Sequence, residues 1–268
     1  MTCNKKLRIA DYIVQRCAEA GAKDVFLVTG GGAMHLNDAF GRSPSMTVRC
    51  FHHEQSAAMA AESYFRISNR LAVLNVTTGP GGINALNGVY GAYVDSLGML
   101  VISGQVKRET FLRNYPIPLR QLGDQEVDIV SMVRPIVKYA TVVQDPLHIR
   151  AVMDKAIFLA RHGRPGPVWV DVPIDVQGML VDVNELKGFD VSDLKAWSQD
   201  PDITPNTLHE LQNLRSGDLQ PEISEIVDRL MRSKRPVLFV GNGVRLSGMM
   251  DQFKCLVERL KIPVVTGW

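Results

Sequence analysis

The stretch VRCFHHEQSAAMA at 48–60 places an ionisable carboxylate, Glu54, at the mouth of a helix rich in small residues. Acidic residues are common in the first turn of a helix, where the macrodipole favours negative charge, so Glu54 could simply be a helix-terminal residue. The small residues of 56–61 predict close packing of this helix, which would desolvate the carboxylate and suit it to share a proton with a weakly basic group. From these residues alone, both interpretations stay open.

Histidines beside this carboxylate raise the question of a metal. His52 and His53 precede Glu54, but adjacent side chains point in different directions and the HExxH spacing of helical zinc sites is absent. The sequence therefore predicts no metal ligands. His35 opens the helix after the first glycine loop and is a candidate for the ligand side of the fold.

Glycine-rich loops follow three short apolar runs that are predicted to be strands. The loops are Gly30–Gly32, TTGPGG at 77–82, and Gly104 with Gln105. In an open parallel sheet the carboxyl ends of all strands lie on one edge, and ligands bind at that edge. Glycines there allow close approach of the backbone. Because Glu54 also follows a predicted strand, it is expected at the same edge.

Nucleotide fingerprints are not matched by these loops. Neither Gly30–Gly32 nor Gly241–Gly243 fits G-x-G-x-x-G, and TTGPGG is not followed by the Gly-Lys-Ser/Thr of a P-loop. The loops predict a ligand edge without identifying the ligand.

The fold class follows from strands that alternate with helical stretches. The predicted strands are too apolar to have one wet face, which is typical of a parallel sheet covered by helices on both faces. They lie at 25–29, 47–51, 71–76, 99–103, 136–143 and 167–173. We predict an open parallel α/β sheet.

Three segments follow from the changes in composition. Residues 1–180 form the first domain, and 181–220 read as a polar linker with one short helix. Residues 221–268 contain one βαβ unit, the beginning of a Rossmann-like domain that is expected to be incomplete because one such unit cannot cover a sheet.

Composition narrows the functional classes. The 268 residues are 46% hydrophobic and 22% charged, which is typical of a globular protein, and the net charge of +2 is too small to favour nucleic acid or an anionic membrane. No stretch reaches the ~20 apolar residues of a membrane span. The four cysteines are far apart and show no zinc spacing, so we predict a reduced, cytoplasmic setting. They are Cys3, Cys17, Cys50 and Cys255.

Taken together, the motifs resemble the N-terminal half of thiamine-diphosphate-dependent enzymes of the acetolactate synthase type. The resemblance rests on the order and spacing of FHHEQ and TTGPGG…N, and it covers nearly the whole chain, with 235–268 resembling the start of that family's central domain. The other matching segments are 25–40, 51–66, 73–106, 124–140 and 163–176.

The resemblance implies site residues at the predicted ligand edge. Glu54 would bond the pyrimidine ring nitrogen of the cofactor and promote the proton transfer that activates it. Gln125 would lie near the substrate, and His35, placed there by its position after the glycine loop, is a second candidate for the substrate site. The remaining implied cofactor contacts are Gly30, Gly31, Thr77, Pro80, Gly81, Gly82 and Asn84.

The implied activity is that of a carboligase or decarboxylase, which forms an acyl-anion equivalent from a 2-oxo acid such as pyruvate. The acceptor would be a second 2-oxo acid or a keto-sugar. Thr29 and Asp124 depart from the family's usual proline and phenylalanine, and Asp124 puts acetolactate synthesis itself in doubt. A homodimer or homotetramer is implied, since the family's site forms between two subunits.

The family's Mg²⁺ ligands and diphosphate site belong to a C-terminal domain that this sequence does not contain. The chain alone is therefore expected to be inactive. FAD, which some members bind in the central domain, is not supported by the residues present. Two alternatives remain: a non-catalytic or split-enzyme subunit with this fold, and an FAD- or NAD-binding oxidoreductase built on the glycine loops.

Overall fold

A computed structural model describes residues 6–190, 192, 199–212 and 219–267. Cys3 of the sequence analysis lies outside these residues. Contacts divide the chain into two units, 1–213 and 214–268, which are described separately.

The first unit contains eight strands and eight helices of α type among its described residues. The strands are β1 (Lys6–Arg8), β2 (Asp24–Leu27), β3 (Thr47–Cys50), β4 (Ala72–Val76), β5 (Met99–Gln105), β6 (Ala140–Val142), β7 (Pro167–Pro173) and β8 (Leu180–Asp182). The helices are α1 (Ile9–Glu19), α2 (Met34–Arg42), α3 (Glu54–Ser68), α4 (Pro80–Val94), α5 (Ile129–Val133), α6 (Ile149–Arg161), α7 (Ile174–Gln177) and α8 (Pro205–Gln212).

Six of these strands form one sheet in the order β3-β2-β4-β5-β7-β6, and every neighbouring pair is parallel. β4, β5 and β7 are buried along their whole length because helices cover both faces, as their continuous apolar sequences predict. The predicted open parallel sheet with helices on both faces is confirmed.

Alternate strand residues face different helix layers. Val73, Ile102 and Val170 belong to the core shared with α1, α2 and α6. On the other face α3 packs on α4 so closely that a Cβ at Gly88 would lie 2.6 Å from the Cβ of Ala58. The small residues of α3 thus permit this approach, as the sequence predicted.

Strand order creates crevices at the carboxyl edge of the sheet, among them one between β2 and β4 and one between β5 and β7. The connection leaving β2 leads to α2, which packs on α1, whereas β4 leads to α4, which packs on α3. Likewise β5 leads towards α5, which contacts α4, and β7 leads to α7, which contacts α1 and α2. Neighbouring strands whose connections go to opposite faces leave a crevice between them, and ligands bind at such points.

The described part of the predicted linker up to residue 212 packs within the first unit. β8 pairs antiparallel with β1, and Ile203 forms an isolated bridge with Tyr139 beside β6. Ala140 N donates to Asp202 O (3.1 Å) and Thr204 N donates to Lys138 O (3.1 Å). Part of 181–220 lies outside the described residues, and the domain limits at 180 and 220 stay a prediction.

The second unit contains the predicted βαβ unit. Its elements are α9 (Gln220–Arg232), β9 (Leu238–Val240), α10 (Gly243–Leu246), α11 (Met250–Leu260) and β10 (Val264–Thr266). β9 and β10 pair in parallel. Within 219–267 none of the side chains is buried, because two strands with their helices enclose no core.

The described residues lack two features. They hold no helix that is long and apolar enough to cross a membrane. They also hold no group of three or more His, Cys, Asp or Glu side chains arranged to bind a metal ion.

Candidate functional site

Glu54 is the first residue of α3, at the carboxyl edge of the sheet. His53 caps this helix, because its Nδ1 accepts a hydrogen bond from Gln55 N (3.2 Å), so this histidine is engaged in holding the helix start. Asn84 of α4 donates from Nδ2 to Glu54 Oε2 (3.1 Å). The sheet therefore brings together a carboxylate and an amide that lie 30 positions apart in the sequence.

Glu54 is less buried than three alanines that follow it in α3. Ala57, Ala58 and Ala61 are fully buried, but Glu54 itself is half-buried and Asn84 is exposed. The close packing of α3 is confirmed, and within this chain the carboxylate is partly removed from solvent.

The glycine corner, defined as Gly30–Gly32 with Thr77–Gly82, joins the loops after β2 and β4. A Cβ at Gly30 would lie 2.5 Å from the Cβ of Thr77, and one at Gly32 would lie 2.1 Å from Thr78 Oγ1. Gly32 N donates to Thr77 Oγ1 (3.1 Å). The two loops are in direct contact, and their glycines are required by this closeness.

The second loop turns at Gly79, whose φ of +56° lies in the left-handed region that favours glycine. A Cβ there would lie 2.2 Å from Gln125 O. Pro80 is the first residue of α4, where its missing N–H leaves no helical bond unmade. A Cβ at Gly81 would lie 2.7 Å from Thr77 Cγ2 and 3.5 Å from Glu54 Oε1, so the bare glycine keeps the approach to the carboxylate open.

The other predicted site residues lie at different places on this edge. Gly31 faces open space, since a Cβ there would meet nothing within 4 Å, and Gly82 packs towards Ile129. Gln125 is exposed with φ +58°, and its backbone carbonyl reaches the glycine corner. His35 is half-buried beside Gly178, where a Cβ would lie 3.2 Å from His35 Nε2.

A buried amide pair that sequence reasoning missed supports the glycine corner. Asn75 Nδ2 donates to Asn37 Oδ1 (2.7 Å), and Asn37 Nδ2 donates to Gly30 O (3.2 Å). Asn75 lies in β4 and is fully buried. A polar residue inside the apolar run LAVLNV was the available signal.

A second missed cluster lies in β5 and β7. Ser103 Oγ donates to Asp171 Oδ1 (2.5 Å), Gln105 Nε2 donates to Asp171 Oδ2 (3.0 Å), and Trp169 Nε1 donates to Ser103 Oγ (2.7 Å). Burial raises the pKa of Asp171 to about 7, although the hydrogen bonds from Ser103 and Gln105 and the charge of Arg113 oppose the rise. The acid in the buried strand PVWVDVP was its sequence signal.

The glycine corner with Glu54 fits a heteroaromatic ring that exchanges a proton. Glu54 Oε2 has Asn84 as its partner, while Oε1 faces Gly81, where no side chain blocks the approach. The carboxylate oxygens can bond a protonated ring nitrogen, and the bare backbone of the corner allows a flat ring to come close. The residues present therefore fit the pyrimidine half of thiamine diphosphate.

Comparison with known families gives two matches. Residues 7–132 match "Thiamine pyrophosphate enzyme, N-terminal TPP binding domain", and residues 223–268 match "Thiamine pyrophosphate enzyme, central domain". Thiamine pyrophosphate is the same molecule as thiamine diphosphate. The parallel sheet with a carboxylate beside a glycine corner is thus the cofactor-binding domain of a thiamine-dependent enzyme class.

The chain is also similar to named proteins of that enzyme class. The chain is 34% identical over 257 residues to the acetolactate synthase large subunit of Lactococcus lactis subsp. lactis, and 33% identical over 256 residues to the acetolactate synthase isozyme 3 large subunit of Escherichia coli. It is 34% identical over 264 residues to acetolactate synthase 1, chloroplastic, of Oryza sativa subsp. japonica. Each match covers 96% of this chain, and the chain spans 36–40% of each relative. The chain belongs to the thiamine pyrophosphate enzyme family and is of the acetolactate synthase type.

Proposed function

We propose that this chain is the pyrimidine-binding part of a thiamine-diphosphate-dependent carboligase or decarboxylase that acts on a 2-oxo acid such as pyruvate. The observation that carries the proposal is the Glu54 carboxylate, fixed by Asn84 beside a glycine corner that a flat ring can approach. The names of the relatives support the reaction class.

Glu54 has the central role in this proposal. Its carboxyl group holds a proton at the ring nitrogen of the pyrimidine, and Asn84 fixes the orientation of Oε2 so that Oε1 remains directed at the ligand. When bound, the cofactor supplies a carbon nucleophile that releases carbon dioxide from the 2-oxo acid and passes the acyl unit on.

The residues around Glu54 would bind and orient the pyrimidine ring. Pro80, Gly81 and Gly82 present the start of α4 to the ring, and Gly30 and Gly31 line the facing loop. The resemblance implied that Thr77 contacts the cofactor. In this proposal Thr77 instead holds the glycine corner in place, because its hydroxyl accepts a hydrogen bond from Gly32 N. His35 and Gln125 stay candidates for the substrate side.

The finer points of the reaction belong to the same proposal. Asp124 is exposed at the place where the family usually has phenylalanine, which favours an acceptor more polar than a second pyruvate, such as a keto-sugar. Mg²⁺ and the diphosphate would be held by residues other than those described, and FAD is not required by any residue described. A homodimer or homotetramer in the cytoplasm completes the proposal.

The test is Glu54→Gln in the natural full-length protein. The amide keeps the shape but cannot share the proton, so we expect kcat with pyruvate to fall by about 10²–10⁴-fold while the melting temperature is unchanged. Glu185→Gln, at an exposed position in the same unit, is the matched control and should keep full activity.

Full activity of the Glu54 variant would overturn the proposal. Saturable binding of FAD or NAD with no response to thiamine diphosphate would favour the oxidoreductase instead. Stable binding of a second protein without any turnover would favour a non-catalytic or split-enzyme subunit.

A further inference from the structure

A second cavity opens at the carboxyl ends of β5 and β7, at another crevice of the sheet. We call it the β5/β7 cavity; its volume is about 410 Å³, within the range of small-molecule sites. It is separate from the glycine corner, which lies between β2 and β4. Its lining residues are Gln105, Phe111, Leu112, Arg113, Arg120, Glu126, Val127, Asp128, Val142 and Asp171.

Buried polar groups form the floor of the β5/β7 cavity. Asp171 is 1% exposed and Gln105 is 4% exposed, yet both line the cavity. Gln105 Nε2 bridges Asp171 and Val127 O (3.0 Å to each), and its Oε1 accepts from Val106 N. This network fixes both side chains, so the floor is a preformed hydrogen-bonding surface.

The wall of the cavity is held in place by Glu126. Its Oε1 accepts from Leu112 N (2.9 Å) and its Oε2 accepts from Gly123 N (3.2 Å), which ties the two ends of the intervening loop together. Phe111 is 4% exposed and, with Val142, gives the cavity an apolar side. The loop is therefore built as a wall and contributes an apolar surface.

Arginines occupy the mouth. Arg113 stacks over the Phe111 ring at 4.6 Å, and both Arg113 and Arg120 are exposed. Within the described residues neither has a carboxylate partner, whereas nearby Arg108 is bound to Asp175 (2.7 Å).

The acidic side chains beside these arginines accept hydrogen bonds from other groups. Glu126 accepts from two backbone N–H groups, and Asp128 accepts from Ser131 N (3.1 Å) and Ser131 Oγ (2.5 Å). The mouth consequently presents two guanidinium groups that form no ion pair within the described residues, although Glu126, Asp128 and Asp171 also line the cavity.

We propose that the β5/β7 cavity binds a small organic acid, with its carboxylate on Arg113 and Arg120 and its body against Phe111 and Val142. Guanidinium groups match the planar carboxylate and bond it in pairs, which favours a carboxylate over a spherical anion. The far end of the ligand meets the polar floor at Gln105 and Asp171, which selects an acid that carries a second polar group. Nothing in this binding requires the cofactor.

Calorimetric titration of the natural full-length protein with lactate and with hydroxybenzoate tests the proposal, because neither is a 2-oxo acid. We expect saturable binding of at least one of them. The double variant Arg113→Gln/Arg120→Gln should weaken it at least about tenfold, since both guanidinium groups lose their charged hydrogen bonds to the carboxylate. Arg70→Gln/Lys187→Gln removes the same charge from exposed positions elsewhere and should leave the affinity unchanged.

Three results would overturn the proposal: no saturable binding of either acid, equal affinity in the Arg113/Arg120 variant, or equally tight binding of inorganic phosphate at the same arginines. Glu54→Gln separates this inference from the proposed function. That variant should bind the acid normally even though it loses turnover.

Discussion

The glycine corner and the β5/β7 cavity lie at the same edge of one sheet but are constructed differently. In the glycine corner backbone meets backbone and short side chains, and added Cβ atoms would lie 2.1–2.7 Å from their neighbours at Gly30, Gly32, Gly79 and Gly81. The β5/β7 cavity is made by side chains, with Asp171 at its centre. Substitutions that add atoms should therefore have the largest effect on stability in the glycine corner, and substitutions that remove a charge should have it in the β5/β7 cavity.

The two regions meet at one peptide. Gln125 O lies against Gly79 of the glycine corner, and the next residue, Glu126, holds the wall of the β5/β7 cavity. Changes made on one side can consequently be compared with changes on the other in the same protein.

The largest effect should come from adding one carbon to the backbone that supports the glycine corner. In Gly104→Ala the new Cβ would lie 2.1 Å from Gly32 O, and backbone cannot move aside as a flexible side chain can. We expect a loss of at least about 3 kcal/mol in the free energy of unfolding, measured by urea denaturation. Gly31→Ala is the control, since its Cβ meets nothing within 4 Å and should change stability by no more than about 0.5 kcal/mol. Equal midpoints for the two variants would contradict the shape-controlled corner.

A charge effect should follow from Asp171→Asn. Since burial raises the folded-state pKa of Asp171 to about 7 from 3.8, the folded protein binds more protons than the unfolded chain between these values. This carboxyl group therefore lowers stability as the pH rises from about 4 to about 7, by about 1.4 kcal/mol per pH unit at most.

Urea denaturation of the wild type and of Asp171→Asn at pH 5 and pH 7 measures this effect of Asp171 on stability. The wild type should lose about 2 kcal/mol more than Asp171→Asn over that interval, even if the asparagine lowers stability by a constant amount at both pH values. Ser103→Ala, which removes a partner but keeps the acid, should retain the pH dependence. Parallel behaviour of wild type and Asp171→Asn would show that the acid is ionised in the folded state throughout.

The smallest effect concerns Thr77. Thr77→Val keeps its contacts with Gly30 and Gly81 but leaves Gly32 N without its acceptor, which should lower stability by about 1 kcal/mol. Thr77→Ser keeps the hydroxyl and removes the methyl group. Thermal unfolding of the two variants shows whether the hydroxyl or the methyl group of Thr77 contributes more to stability. A Ser variant that is less stable than the Val variant would show that packing of the methyl group stabilises the glycine corner.

The sequence predicts the sheet well because its strands are continuous apolar runs between glycine-rich turns. TTGPGG was predicted to be a loop, but helix α4 begins inside it at Pro80, because proline is favourable at a first helical position. Glycine loops and Glu54 were assigned to one edge by the rule for parallel strands, and the structure places them there.

Contacts that depend on register could not be predicted. The bond from Asn84 to Glu54 and the pairing of Asn37 with Asn75 join separate elements, so they require the packing angle of those elements. Asp171 was visible as an acid in an apolar strand, but the strand order that puts it beside Ser103 and Gln105 comes only from the fold. The polar composition of 181–220 likewise concealed Ile203, which packs into the first unit.

The bridge between Ile203 and Tyr139 has a consequence for the behaviour of this protein in a crowded solution. β6 is the last strand of the sheet, and an open edge strand can pair with a strand of another molecule and start aggregation. Here Asp202 and Thr204 occupy backbone groups at Ala140 and Lys138 on that edge. A short segment that reads as linker thereby covers this edge of the sheet against strands of neighbouring molecules.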